Sequence, residues 1–167
     1  MAGNEEAPPA FGPRPVTQAD LIPLARLWHQ AWHETQAPFV PATLVALRTE
    51  PDFLKRLTAM GDRVRTIGPI SAPLGFCAID DDHMDQLFLA AHARGTGAGA
   101  ILLADAETRM RANGITHAQL DCLKENAAAI RFYQKAGWAA AGIRSVPLYT
   151  HAGPFSFDCM VLTKALA

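Results

Sequence analysis

Charge and cysteine are both scarce in this chain. Asp, Glu, Lys and Arg make up 19% of its 167 residues and nearly cancel, leaving a formal net charge of −1. That balance offers no basic footprint for nucleic acid or for an anionic membrane surface, so neither is expected as a partner. No apolar run approaches the ~18–20 residues of a membrane-spanning helix. The opening MAGNEEAPPAFGP carries acids and prolines but no apolar centre, unlike a secretory leader. A disordered tail over 1–12 is expected, followed by a single domain over 13–167. Cys77, Cys122 and Cys159 are far apart, and each lies in a strand-like stretch. Their spacing matches no zinc or disulfide pattern, so buried reduced thiols and a cytoplasmic setting are expected. Half of the chain is hydrophobic, enough for a core of ordinary size.

The apolar periodicity alternates between strand and helix. Arg14-Pro15-Val16 reads as a short strand. Thr17 and Asp20 are both helix-entry residues, and Pro23 favours Asp20 as the N-cap, because proline then falls at the third helical position. Leu21, Leu24, Ala25, Trp28, Ala31 and Trp32 repeat at helical spacing to about Glu34, with Trp28 and Trp32 on one core-facing stripe. Beyond Pro38 and Pro41 a second helix is expected on Leu44, Leu47, Leu54 and Leu57, interrupted at Pro51. Strands follow at 63–67, 74–79 and 84–91, the last two joined through Asp80-Asp81-Asp82. Helical patterns at 98–112 and 126–136 flank a strand at 116–123, and strands at 138–146 and 155–162 close the chain. The two strand-to-helix steps imply parallel pairing of the strands near Met84 and Thr116, with antiparallel hairpins on both sides.

Between the 84–91 strand and the next helix lies His92-Ala-Arg-Gly-Thr-Gly-Ala-Gly-Ala-Ile-Leu-Leu103. Gly95, Gly97 and Gly99 sit on alternate positions where one glycine would suffice for a tight turn. A glycine-rich turn entering a helix presents unpaired N–H groups and the positive end of the helix dipole, which suits a pyrophosphate. A nucleotide P-loop requires Gly-Lys-Ser/Thr, which is lacking. Gly95-x-Gly97-x-x-Ala100 matches the permissive dinucleotide fingerprint. That fingerprint follows its strand directly, however, whereas 91–94 intervene here, and the chain downstream is too short for the usual six-stranded sheet.

Arg94-Gly-Thr-Gly97-Ala-Gly99 resembles the Gln/Arg-x-x-Gly-x-Gly/Ala signature of the GNAT-family N-acetyltransferases. Asn126-Ala-Ala-Ala-Ile-Arg-Phe132-Tyr133-Gln-Lys-Ala-Gly137-Trp138 is similar to the family's second motif, Asn-x-x-Ala-x-x-Phe-Tyr-x-x-x-Gly-Phe. The opening Arg-Pro-x-Thr-x-x-Asp at 14–20 and the element order agree, so the resemblance covers 14–164. Ala91 stands where proline is frequent, and Trp138 replaces phenylalanine. The resemblance implies an α+β fold: a mixed, largely antiparallel sheet with a central splayed parallel strand pair, flanked by about four helices. It implies transfer of acetyl from acetyl-CoA directly to an amine on a small molecule or peptide, without metal or covalent enzyme intermediate. A homodimer is also consistent with it. A non-catalytic acyl-CoA-binding or regulatory domain of the same fold is the alternative.

The resemblance also implies roles for particular residues. The backbone of Phe88-Leu89-Ala90 pairs with the pantetheine arm, and the amide near Leu89 donates to the thioester carbonyl, an oxyanion-type contact. The amides of Arg94, Gly95, Thr96, Gly97, Ala98, Gly99 and Ala100 wrap the CoA pyrophosphate. Asn126 is a good N-cap on its own terms, and the family adds a cofactor contact. Tyr133 is the general acid that protonates the departing thiolate. An ammonium with a pKa near ~10 must lose a proton before it attacks. Asp85, beside Gln86 at the start of the thioester strand, is the first choice of proton acceptor. His83, Glu34, Asp121 and a water chain are the alternatives. The first helix pair and last hairpin wall the acceptor site in the family, which nominates His33, Glu34, Phe39 and Tyr149. A covalent route through Cys122 lacks a neighbouring histidine base in the sequence. Near-neutral net charge speaks against a strongly cationic acceptor.

Overall fold

Residues 12–167 are described by a computed structural model, so the expected tail lies outside the described residues except for Gly12. One seven-stranded sheet runs β1-β2-β3-β4-β5-β7-β6. Its strands are β1 (Arg14–Pro15), β2 (Val64–Ile67), β3 (Gly75–Asp80), β4 (His83–Leu89), β5 (His117–Leu123), β6 (Ala139–Thr150) and β7 (Gly153–Ala165). Helices α1 (Leu21–Thr35), α2 (Ala42–Leu47) and α3 (Glu50–Met60) precede β2, α4 (Ala98–Ala112) follows β4, and α5 (Ala127–Lys135) follows β5. Among the described residues no helix is long and apolar enough to cross a membrane.

The sheet separates two cores. Leu102, Leu103, Ala106 and Met110 of α4 pack with Cys77, Leu120, Tyr133, Trp138 and Leu162 on one face. Leu24, Trp28 and Trp32 of α1 pack with Leu44, Phe53, Leu57, Phe76 and Phe88 on the other. Trp28 is the centre of the second core, with ring centroids 4.8 Å from Phe53 and 5.1 Å from Phe76.

Three local features depart from the expected pattern. The stretch anticipated as one interrupted helix is two helices, and Pro51 begins the second instead of breaking the first. Thr49 caps α3 by accepting the Asp52 N–H at 3.2 Å, and Pro51 occupies an early position where no helical N–H partner is lost. The described residues therefore form five α-helices. Asp20 immediately precedes α1 but does not cap it. Its backbone is already helical, and its carboxylate turns back to accept from Thr17 N–H and from the Arg14 guanidinium at 2.7 and 3.0 Å. The last two strands extend well past 146 and before 155, because β6 is a sheet edge. Proline at 147 therefore forfeits no ladder bond to a further strand.

The centre of the sheet is its least regular part. Pairing with β3 steps from Gln86↔Ala78 to Met84↔Ile79, leaving Asp85 as an extra, bulged residue of β4. On its other edge β4 is parallel to β5 at His83↔Gln119, supported by Gln119 N–H donating to the Asp82 carbonyl at 2.9 Å. Beyond that point the two strands separate into a wedge-shaped gap.

Asp20 offers a test of the corner that ties β1 to α1 and to the 68–73 loop. The buried carboxylate also accepts from Ser71 N–H at 3.1 Å. The hydrogen-bonded Arg14 guanidinium, aided by Thr17 and Ser71, holds it well below the usual carboxylate range. Because the folded-state value lies below the unfolded one, near ~3.9, the stabilisation is full above about pH 4 and is lost as pH falls further. Asp20→Asn should cost roughly 3 kcal/mol at neutral pH and flatten the loss of stability between pH 5 and 2, read by urea unfolding across pH. An unchanged pH slope would remove Asp20 from this role.

Candidate active site

A short 3-10 turn, Ala91–Ala93, ends β4 and leads into the glycine segment. Gly95 and Gly97 adopt φ of +76° and +89°, a left-handed backbone that residues with a Cβ resist. Gly99 is needed for another reason. A Cβ there would meet Leu89 Cδ1 at 3.2 Å and the Phe132 ring at 3.3 Å, so it sets how closely α4 approaches β4 and α5. Thr96 Oγ1 donates to the Ala93 carbonyl and accepts weakly from Ala98 N–H at 3.4 Å. The N–H groups of Gly95, Thr96, Gly97, Gly99 and Ala100 have no hydrogen-bond partner among the described residues. Unpaired amides at a helix N-terminus, with open space where the Gly95 and Gly97 side chains would stand, fit a pyrophosphate. Arg94 lies at the edge of this cradle, where its guanidinium donates to Glu34 at the end of α1, 3.1 Å away.

The gap between β4 and β5 opens a cleft of about 570 Å³ beside the turn. Backbone direction decides which β4 groups face it. Ala90 N–H donates to the Leu74 carbonyl at 2.8 Å, on the β3 side. Alternation along the strand aims Phe88 the same way and leaves the Leu89 and Leu87 N–H groups toward the gap. Of the expected 88–90 stretch, Leu89 therefore supplies the amide on the open edge.

Helix α5 brings two expected residues to the same cleft. Asn126 Oδ1 accepts Ala129 N–H at 3.3 Å, capping the helix, while Asn126 itself lines the cleft. Tyr133 is buried at 6% exposure but also lines the cleft. Its ring packs edge-on to Phe132 and Trp138. Burial, reinforced by Cys77 and Cys122, raises the phenol well above its ordinary value, so it stays protonated at neutral pH. Burial likewise pushes the Cys122 thiol up to about 12, leaving it protonated and a poor nucleophile.

His83 and Asp121 meet where β4 and β5 begin to part. His83 Nε2 lies 3.1 Å from Asp121 Oδ2, and Arg144 Nη2 donates to Asp121 Oδ1 at 2.8 Å. With Nε2–H given to the carboxylate, Nδ1 carries the ring lone pair, 3.7 Å from Asp82. Asp85 also lines the cleft, at the bulge. Burial raises its carboxyl above the usual range, opposed by Arg63, which stands 4.0 Å away.

The remaining expected acceptor contacts do not line the cleft. His33 lies on the helical ridge beside Trp32, its ring tilted 44° to that of His29, and bonds the Arg48 carbonyl at 2.8 Å. Glu34 is taken up by Arg94 and Gln30. Phe39 is 48% exposed in the 3-10 turn Ala37–Phe39, while the next residue, Val40, lines the cleft instead. Tyr149 is 79% exposed, because strand alternation turns it opposite to Leu148. Trp32, Val40, Leu44, Leu148 and Phe157 form the wall that these four were expected to make. The alternating Phe155 and Phe157 were the available signal, since Leu148 pairs with Phe155 and Val146 with Phe157 across the hairpin.

Residues 59–138 match the model of the acetyltransferase (GNAT) family. Among solved structures, the fold is shared with a GCN5-related N-acetyltransferase from Rhodopseudomonas palustris at 21% identity and a TM-score of 0.71. That match covers 92% of this chain and 94% of the other. A ribosomal-protein-alanine N-acetyltransferase from Brucella melitensis is 20% identical with a TM-score of 0.69, over 92% of this chain and 98% of its own. PaiA N-acetyltransferase from Thermoplasma acidophilum, in complex with coenzyme A, is 19% identical with a TM-score of 0.66, over 92% and 97%. No curated protein matches the sequence. The matched segment contains the glycine turn, the strand gap and Tyr133: residues 59–138 belong to the GNAT acetyltransferase family, and the solved structures share the fold around them.

Proposed function

We propose that this protein transfers the acetyl group of acetyl-CoA directly to an amine. The observation that carries the reading is the continuity of one surface. Arg94, at the entrance to the turn of largely unpartnered amides, lines the same cleft as the open β4 edge at Leu89 and the protonated Tyr133 phenol. An acyl carrier with a pyrophosphate at one end and a thioester at the other matches those features in order. Acetyl-CoA supplies an activated acyl carbon joined to a good leaving sulfur.

Each residue then has a defined task. The turn amides hold the pyrophosphate, and the Leu89 N–H polarises the thioester carbonyl, a contact that strengthens as negative charge grows on that oxygen. The amine nitrogen bonds to the acyl carbon, the carbon–sulfur bond breaks, and the Tyr133 hydroxyl gives its proton to the leaving sulfur; the second nitrogen proton, shed as the amide forms, restores the phenol. The proton that the ammonium sheds goes to the His83–Asp121 pair or to Asp85, both on the cleft wall. His83 is preferred because Asp121 fixes its ring orientation and tautomer, whereas the Asp85 carboxylate lies toward Arg63. A covalent route through Cys122 would have to ionise a thiol that burial holds at about 12.

Two measurements test these assignments. Tyr133→Phe should lower kcat about 100-fold with CoA affinity nearly unchanged, read by acceptor-dependent thiol release and by calorimetric titration. Unchanged turnover would take Tyr133 out of the chemistry. His83→Gln should lower kcat/KM at neutral pH by about 100-fold and recover as pH approaches the amine's own pKa, near ~10. If Asp85→Asn gives that alkaline recovery and His83→Gln does not, Asp85 is the proton acceptor. Tight CoA binding without thiol release from any amine would favour the non-catalytic acyl-CoA-binding reading.

A further inference from the structure

The far side of the cleft restricts which amine can enter, an inference that rests on the acetyl-transfer reading. The glycine turn, Asn126 and Tyr133 stand on the α4–α5 side of the sheet gap. On the α1–α3 side the wall is built from Trp32, Val40, Leu44, Leu148 and Phe157, all part of or packed against the second core. The Phe155 and Phe157 rings stack nearly parallel, 6° apart, along the inner face of the last hairpin.

Negative charge in the cleft is limited: Asp121 is paired, and Asp85 shares Arg63 with Asp80, which stands nearer that guanidinium at 3.4 Å. The cleft's lining carboxylates are Asp85 and Asp121. Asp121 accepts from Arg144 at 2.8 Å and lies 3.1 Å from His83, while Asp85 has Arg63 at 4.0 Å. One ammonium that surrenders its proton at the His83–Asp121 pair is accommodated. A second or third ammonium on the same molecule would stand against Trp32, Val40 or Leu148, away from both carboxylates that the described residues bring to the cleft, an uncompensated desolvation. Apolar substituents face the opposite balance, since the wall offers them burial and nothing polar to leave unpaired.

We propose that the acceptor carries a single amine on an apolar body, aromatic or branched aliphatic. Its amine reaches the His83–Asp121 end of the gap and its body lies between α1–α2 and the Leu148–Phe157 face of the hairpin. A free arylalkylamine and the amino terminus of a peptide with an apolar first residue share this chemistry.

Thiol release from acetyl-CoA by the full chain tests the proposal with 2-phenylethylamine, isoamylamine, spermidine, and short peptides beginning with Phe or Lys. The monoamines, or the Phe-first peptide, should exceed spermidine and the Lys-first peptide in kcat/KM by about tenfold or more. Whether the free amine or the Phe-first peptide is preferred identifies the source. Phe157→Ala should raise KM for the preferred acceptor about tenfold with kcat little changed. Leu148→Glu, on the half-exposed hairpin, should shift the preference toward spermidine by a similar factor while CoA affinity persists. Equal or better use of spermidine or the Lys-first peptide overturns the acceptor class and leaves acetyl transfer standing. No thiol release with any amine, while acetyl-CoA still binds, overturns both.

Discussion

Two adjacent strands at the centre of a sheet part after a single parallel pairing, and the site is organised by that failure to pair. His83↔Gln119 holds β4 to β5, and the strands then diverge, with Asp85 bulged where the separation starts. Backbone N–H and C=O groups are obligatory hydrogen-bonding groups, so an open edge in the middle of a sheet needs water or a ligand to satisfy it. The β3 side of β4 is regular, which fixes the alternation and leaves the Leu89 N–H toward the gap. The helices on each face determine what can reach that amide.

The gap also joins two unlike environments. On the α4–α5 side the turn supplies backbone dipoles without side chains, and Gly99 allows α4 to press against Leu89 and Phe132. On the α1–α3 side the same opening is lined by the periphery of an aromatic core whose centre is Trp28. Arg94 and Glu34 link these halves across the edge of the cleft, tying the turn to the end of α1 at 3.1 Å. In the proposed reaction, a donor that carries phosphates and an acceptor that carries an apolar body would meet opposite walls of one cavity, with Tyr133 and the His83–Asp121 pair between them.

Local chemistry made much of this legible in the sequence. The glycine turn and the Asn126 cap follow from neighbours within a few residues, the parallel pair from the order of strands and helices, and the free cysteines from their spacing. Residues whose role depends on distant partners were not legible. Asp20 looks like an N-cap until Arg14 and Ser71 are seen to surround it. Tyr149 looks like a site aromatic, but its parity in the hairpin exposes it and brings Leu148 inward. His83 and Asp121 are 38 positions apart, and only the β4–β5 register makes them a hydrogen-bonded pair. Gly99 belongs to the glycine pattern, yet its reason is the packing of Leu89 and Phe132 and not turn geometry.

A crystal structure with acetyl-CoA tests the central claim most directly, because the strand gap must hold the donor in one orientation. Pyrophosphate oxygens should lie on the amides of 95–100, the thioester carbonyl about 3 Å from the Leu89 N–H, and the sulfur beside the Tyr133 hydroxyl. An acetyl-CoA bound outside the β4–β5 gap, with the Leu89 N–H still unpaired, would contradict it.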